Sequence, residues 1–302
     1  MTIETTFKSA FIALVGRPNS GKSTLLNTII GEQLSVVTSL PQTTRTNLRG
    51  IYTTEQMQLV FVDTPGIHNG KHAFNESMMR EARGIVAQKG IDLICYLVDL
   101  SREFGTEEAI VAQLVSESGI ECVVVFNKID AVKSIDDAVN HFYELFPNFR
   151  DKPSLRISAS SKESKELFLK AIDPFIGEGP RYFDPEEITD ANLRFFAAEY
   201  IRKHIILNTR EEVPHATFVE IESYQESEDR HRIDATIHVE TVGQRGILVG
   251  KGGSVITKIR KSAEKEMKEL VQLPVSITCH VKVSPKWRDN ESFLRLMGVP
   301  VR

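Results

Sequence analysis

The sequence predicts an α/β domain built on a mostly parallel sheet covered on both faces, followed by a smaller α+β domain. Three observations predict it. A glycine-rich loop, Gly16-Arg17-Pro18-Asn19-Ser20-Gly21-Lys22-Ser23, joins the apolar run 11–15 to a helical segment. Beyond it, near-continuous apolar runs at 59–62, 93–98 and 122–126 alternate with helical segments, the pattern of parallel strands buried on both faces. After a break rich in Gly and Pro at 176–185, the pattern changes to strands of alternating polarity around a second glycine cluster at 250–253.

The bulk numbers narrow the class. A chain of 302 residues suits two domains, and 41% hydrophobic with 26% charged residues is a globular rather than a disordered composition. No apolar run reaches the length of about 18 residues that would suggest a membrane span, and residues 1–10 resemble neither a signal peptide nor a transit peptide. The expected compartment is therefore the cytoplasm. Cys95, Cys122 and Cys279 fall inside predicted strands at spacings that match no metal motif, as reduced, buried thiols do. The eight histidines form no ligand cluster; His68 and His72 read as solvated loop residues. Net charge is −4, unevenly spread: residues 243–302 carry 12 Lys and Arg against 5 Asp and Glu, whereas 181–242 carry 7 against 14. The C-terminal stretch is a basic island on an acidic chain.

In chain order, the first glycine loop comes first. Gly16 and Gly21 let the main chain wrap a phosphate group, and the helix that follows aims its positive end at the same anion. Lys22 reaches the outer phosphates and the Ser23 hydroxyl ligates Mg²⁺. A chance match in a chain this long has odds on the order of one in a hundred. Residues 38–46 lack either period and read as a loop. The strand at 59–62 ends in Asp63-Thr64-Pro65-Gly66, where an Asp holds Mg²⁺ and the Gly N–H meets the γ-phosphate. Helices are predicted over Phe74–Gln88 and Glu107–Ser118, each leading into a strand.

The strand at 122–126 ends in Asn127-Lys128-Ile129-Asp130. The Asp130 carboxylate can accept the N1–H and 2-amino hydrogens of guanine together, a donor pair that adenine lacks. Lys128 can lay its stem over the base, and Asn127 can tie this turn to the phosphate loop. A further strand at 154–157 leads to Ser158-Ala159-Ser160, whose main chain would close over the base. Without those partners, each motif has a plain structural reading as a turn or helix cap.

Residues 176–185 hold two glycines and two prolines and read as the start of a linker. A helix over 192–207 follows, then strands at 216–224 and 232–242, the cluster Gly250-Lys251-Gly252-Gly253, an amphipathic helix with Val255, Ile256, Ile259, Ala263, Met267, Leu270 and Val271 on one face, and a strand at 275–283. Helix, strand, strand, helix, GxxG, helix, strand is the order of a type II KH domain. A single-stranded nucleic-acid backbone must approach the main chain closely there, and Lys251 adds a cation. Ile247, Val249, Val255 and Ile256 flank a candidate groove for unstacked bases, and Lys258, Arg260, Lys261, Lys282, Lys286 and Arg288 supply positive charge.

The ordered motifs of the first half resemble the translation-factor-related GTPases. Ile67 stands where Ras-like relatives carry a water-orienting glutamine, which implies a slow GTPase. Asn19 resembles the residue that helps some of these proteins hold K⁺ beside the phosphates. With Pro41-Gln42-Thr43-Thr44-Arg45 and the GPRYF…ITD linker, the whole chain resembles the Era family of bacterial ribosome-assembly GTPases. The resemblance implies a P-loop G domain over 1–178, a linker over 179–190 and a type II KH domain over 191–302. Thr44, with Thr43 as its rival, would be the switch threonine on Mg²⁺ and γ-phosphate, catalysing with Lys22 and Gly66. GTP or GDP with Mg²⁺ would bind at 16–23, 63–67, 127–130 and 158–160. Small-subunit ribosomal RNA near its 3′ end and the 30S subunit would be the partners of a monomeric chain, with peripheral association at the inner membrane. Ser158-Ala159-Ser160 departs from the commoner SAK or SAL ending. Two other classes fit parts of the chain: an RNA-binding module with a mainly structural nucleotide site, and a membrane-associated signalling GTPase in cell-cycle control.

Overall fold

The computed structural model describes residues 6–35, 48–64, 83–84 and 90–296. Among these, one compact unit ends at Asp190 and a second begins at Ala191. Thr43, Thr44, Pro65, Gly66, Ile67, His68, His72 and all but two residues of the expected helix at 74–88 lie outside the described residues.

The first unit runs β1 (Lys8–Gly16), α1 (Lys22–Ile30), β2 (Leu48–Thr53), β3 (Met57–Asp63), β4 (Leu93–Asp99), α2 (Thr106–Glu117), β5 (Cys122–Asn127), α3 (Ile135–Leu145), β6 (Ser154–Arg156) and α4 (Glu163–Ile172). The six strands lie in the order β2-β3-β1-β4-β5-β6. All neighbours are parallel except β2 with β3. That pair is joined by a tight turn in which Thr54 Oγ1 accepts from the N–H groups of Gln56 and Met57, whereas the parallel pairs need longer crossovers.

Every residue of β4 and β5 is buried, as the apolar runs require. One face of the sheet packs Ala13, Tyr96, Val98 and Phe126 against Val111 and Val115 of α2 and Phe142 of α3. Phe142 centres an aromatic cluster, with ring centroids 5.3 Å from Phe126 and 5.5 Å from Phe104. Leu25, Leu26 and Ile29 of α1 are fully buried, and Phe168 of α4 sits 6.0 Å from Phe61.

The expected linker is pinned to this unit. The fully buried Gln58 amide donates to Phe183 O (3.0 Å) and accepts from the N–H groups of Tyr182 and Phe183. Farther on, Ile51 N–H donates to Ile188 O at 2.8 Å, and Arg49 pairs with Asp190 at 3.0 Å. An edge strand leaves main-chain groups bare, and residues 188–190 cover those of β2.

The second unit runs α5 (Leu193–Asn208), β7 (Phe218–Glu226), β8 (His231–Val239), α6 (Val242–Val249), α7 (Ser254–Val271), β9 (Val275–Val283) and α8 (Glu291–Leu296). Its sheet is β7-β8-β9, with β7 antiparallel to β8 across a bulge near Glu222, and β9 parallel to β8. The first two strands of this unit, β7 and β8, differ from expectation at their ends. A short helical turn at Val213–His215 delays β7, and Val242 starts α6 because Thr241 and Gln244 form a reciprocal capping box. Ile259, Ala263 and Met267 form the buried stripe of α7, while Leu270 in its last turn is 41% exposed. Trp287, 1% exposed, donates from Nε1 to Ala216 O at 2.9 Å and packs against Phe218 and Phe293.

Candidate functional site

The first-unit motifs meet at the carboxyl ends of the strands, where β1 and β4 send their connections in opposite directions and open a crevice. Gly16 ends β1, Pro18, Asn19 and Ser20 form the loop, and Lys22 and Ser23 are the first residues of α1. Gly21 caps α1 at φ 99°, and a Cβ there would overlap Asn127 Nδ2. Asn19 also has a positive φ, 63°. Lys22 is 5% exposed and donates from Nζ to Gly16 O (3.0 Å) and Arg17 O (2.9 Å). Burial pushes its ammonium down to about 8, against the opposing pull of Asp63 and Glu108. A polyphosphate bound there would supply the missing counter-charge.

Asp63, the last residue of β3, is fully buried, and its Oδ2 accepts from Ser23 Oγ at 2.8 Å and from Ser35 Oγ at 3.1 Å. Converging hydroxyl and carboxylate oxygens are the hard donors that Mg²⁺ takes, with waters and phosphate oxygens completing its shell. Among the described residues no cluster of three or more His, Cys, Asp or Glu is placed to hold a metal ion. Ser35 carries no motif; Asn27 holds it through both amide groups, at 2.8 and 2.9 Å. Thr64 is buried and donates to Leu14 O at 2.8 Å.

Asn127 ends β5 and joins three motifs: Nδ2 donates to Ser20 O (2.7 Å) and Oδ1 accepts from Ala159 N–H (2.8 Å). Thr28 Oγ1 of α1 donates to Ala159 O at 2.7 Å, and Ser164 Oγ fixes Ser158 O at 2.6 Å. The Ser158 and Ser160 hydroxyls stand 3.2 Å apart. Lys128 has φ 63°, and Ile129 and Asp130 form a short turn with the Asp130 side chain exposed. Gly21→Ala sets a Cβ against Asn127 and strains the loop, so GDP affinity is expected to fall at least about 10-fold, read by calorimetry, and the nucleotide-free protein is expected to melt several degrees lower.

One member of the loop behaves differently from expectation. Arg17 is 3% exposed and turns its side chain into the protein, pairing with the fully buried Glu108 and donating to Glu103 O at 2.9 Å. Only its main chain remains for a ligand. Sequence reasoning also missed Asp99, Arg102, Glu103 and Glu108, whose contacts with the motifs span tens of residues and leave no local pattern.

In the second unit, Gly250-Lys251-Gly252-Gly253 makes the tight turn between α6 and α7. Gly250 has φ 74°, and a Cβ there would lie 2.5 Å from Val255 Cγ2. Leu248 points inward, while Ile247 is 52% exposed and Val242 74%. Val249, Val255 and Ile256 are half-buried beside the turn. Lys251, Lys258, Lys261, Lys282 and Lys286 are exposed, and among the described residues none is in an ion pair. Arg260 and Arg288 do not join them: Arg260 pairs with Glu264 at 2.5 Å and Arg288 pairs with Glu240. The glutamates that spoil a uniform basic face are also used internally, as Glu266 holds Lys203 at 2.9 Å and His204 at 2.8 Å.

Comparisons with known proteins agree with both halves. The family model described as a 50S ribosome-binding GTPase matches residues 11–128, and the KH domain model matches residues 212–288. The chain is 36% identical to GTPase Era of Nostoc sp., covering 98% of this chain and 90% of that one. It is 38% identical to GTPase Era of Caldanaerobacter subterraneus subsp. tengcongensis, covering 98% and 99%. Among solved structures, Era in complex with MgGDPNP and nucleotides 1506–1542 of 16S ribosomal RNA superposes with a TM-score of 0.91 at 29% identity, covering 98% of this chain and all of that one. An Aquifex aeolicus Era variant bound to GDP and aluminium fluoride superposes with a TM-score of 0.90, also at 29% identity.

Proposed function

Because the chain belongs to the Era family of GTPases, we propose that it is a GTP-hydrolysing switch that holds single-stranded small-subunit ribosomal RNA near its 3′ end and assists maturation of the 30S subunit. The observation that carries this reading is the pairing, in one chain, of a complete guanine-nucleotide motif set with a GxxG turn flanked by exposed apolar side chains and free lysines. The likeness over 98% of the chain to an Era bound to MgGDPNP and 16S ribosomal RNA supports it and favours the small subunit, although the matching family model is described by the large one.

In this reading, main-chain N–H groups of 16–21 and Lys22 bind the phosphates, and Asp130 reads guanine while Lys128 covers it. Ser23, Asp63 and Thr44 would hold Mg²⁺, which neutralises developing phosphate charge when bound. Gly66 and Thr44 would order on the γ-phosphate, and hydrolysis would release that order. The sequence has Ile67 where Ras-like relatives carry a water-orienting glutamine, so unassisted turnover would be slow. Potassium beside Asn19 would add a cation there; exchanging K⁺ for Na⁺ then slows turnover. The cytoplasm is the compartment this work requires, and no helix among the described residues is long and apolar enough to cross a membrane. Association with the membrane surface rests on family resemblance alone.

The test is co-sedimentation of the full chain with purified 30S and 50S subunits in the presence of GDPNP. Pelleting with 30S alone is expected; pelleting with 50S alone overturns the assignment. RNA affinity should also depend steeply on salt. If Lys251, Lys258, Lys261, Lys282 and Lys286 all contact phosphates, log K against log salt has a slope of about −3.5 for a single strand. A flat dependence would remove the basic surface from the binding site.

A further inference from the structure

The stretch Asp99–Glu108, which carries none of the nucleotide motifs, touches both halves of the site. Asp99 is the last residue of β4, lies in register with Asn127 and is fully buried. Its Oδ2 accepts from Lys128 Nζ at 2.7 Å, and its Oδ1 accepts from Ser101 N–H (3.0 Å) and Ser101 Oγ (2.6 Å). Nine residues on, Glu108 in the first turn of α2 is also fully buried, paired with Arg17, and accepts from Tyr96 Oη at 2.5 Å. The same stretch grips the loop from outside: Arg17 Nη1 donates to Glu103 O at 2.9 Å and Arg102 Nη1 donates to Pro18 O at 3.1 Å.

We infer that Asp99 and Glu108 are positioning residues for the guanine nucleotide, Asp99 by fixing Lys128 where its stem covers the base, and Glu108 by fixing Arg17 and with it the main chain of the phosphate loop. The inference rests on reading the crevice as a guanine-nucleotide site. A free lysine side chain loses rotamer entropy when it is ordered, so one already anchored when the ligand arrives need not be ordered by it. Lys128 is anchored at both ends, by a left-handed backbone and by a buried carboxylate, which leaves its methylene stem as the surface on offer. A buried ion pair is a weak source of stability in itself, because desolvation offsets its attraction. What Arg17, Glu108 and Tyr96 supply is a fixed geometry for residues 17 and 18, whose carbonyls also hold Lys22 and Arg102.

The two roles separate by ligand. GDP uses base and phosphate contacts, whereas magnesium pyrophosphate uses only the latter. Titration calorimetry on the full chain is expected to show Asp99→Asn weakening GDP about 10-fold with pyrophosphate within two-fold of wild type, and Glu108→Gln weakening both ligands by a similar factor of about 10. In a Lys128→Ala background, Asp99→Asn should cost nothing further. Equal loss of both ligands in Asp99→Asn, loss of GDP alone in Glu108→Gln, or no change in either overturns the inference. Should either variant lack a cooperative melt, Ser101→Ala and Tyr96→Phe remove the supporting hydroxyls and must show the same split at about two- to three-fold; absence of that split also overturns it. A wild-type chain that binds neither ligand refutes the nucleotide reading itself, a result distinct from wild-type binding with unaffected variants.

Discussion

Lys22→Met is expected to lower GTP turnover by about 10²–10³-fold, the loss of about 2.7–4 kcal/mol of transition-state stabilisation that follows removal of one pre-set donor. Methionine matches the length of the stem and carries no charge. Single-turnover release of phosphate measures the effect, and a rate within about 10-fold of wild type would move the charge stabilisation elsewhere. The fold should survive, because burial already penalises the ammonium in the free protein, pushing it from 10.5 down to about 8. The sign of the accompanying pH effect follows. Between about 8 and 10.5 the unfolded chain holds this proton and the folded chain gives it up, so nucleotide-free stability rises with pH across that window. Lys22→Met should flatten that rise in a series of thermal melts.

Asp130→Asn is expected to weaken GDP by about 10²–10⁴-fold, since two hydrogen bonds to a charged acceptor are lost or mispaired. The amide of asparagine would meet the 2-amino group of guanine donor to donor. Xanthine carries a carbonyl at that position, so the variant should prefer xanthosine diphosphate over GDP, reversing wild-type order. The exposed Asp130 side chain makes few demands on the fold, and the melting temperature should stay near wild type. A variant that loses both nucleotides equally would show that Asp130 shapes the turn rather than reading the base.

The main architecture was legible because it follows from local patterns. Unbroken apolar runs placed β3, β4 and β5, and the motif residues fell at strand ends, where an α/β sheet binds its ligands. The alternating strands and the Gly250–Gly253 turn were legible for the same reason. What escaped was whatever depends on distant partners. Gly and Pro at 176–185 announce a linker, yet Gln58, more than a hundred residues earlier, ties Tyr182 and Phe183 within it to the sheet. Arg260 and Arg288 look from composition like RNA-facing cations, but Glu264 and Glu240 occupy them. The burial of Arg17 is invisible in a loop motif, because its partner Glu108 lies on another helix. The ends of β7 and β8 moved because caps and a short helical turn, not apolar periodicity, set them.

The central claim is that guanine nucleotide governs how this chain holds ribosomal RNA. Its most direct test is the affinity of the full chain for a short RNA copying the 3′ end of the small-subunit RNA, against a scrambled sequence of equal length, first with GDP and then with GDPNP, at fixed salt. Preference for the native RNA that strengthens with GDPNP is the predicted result. Equal and weak binding of both RNAs with either nucleotide would contradict the claim and leave the chain a GTPase without this partner.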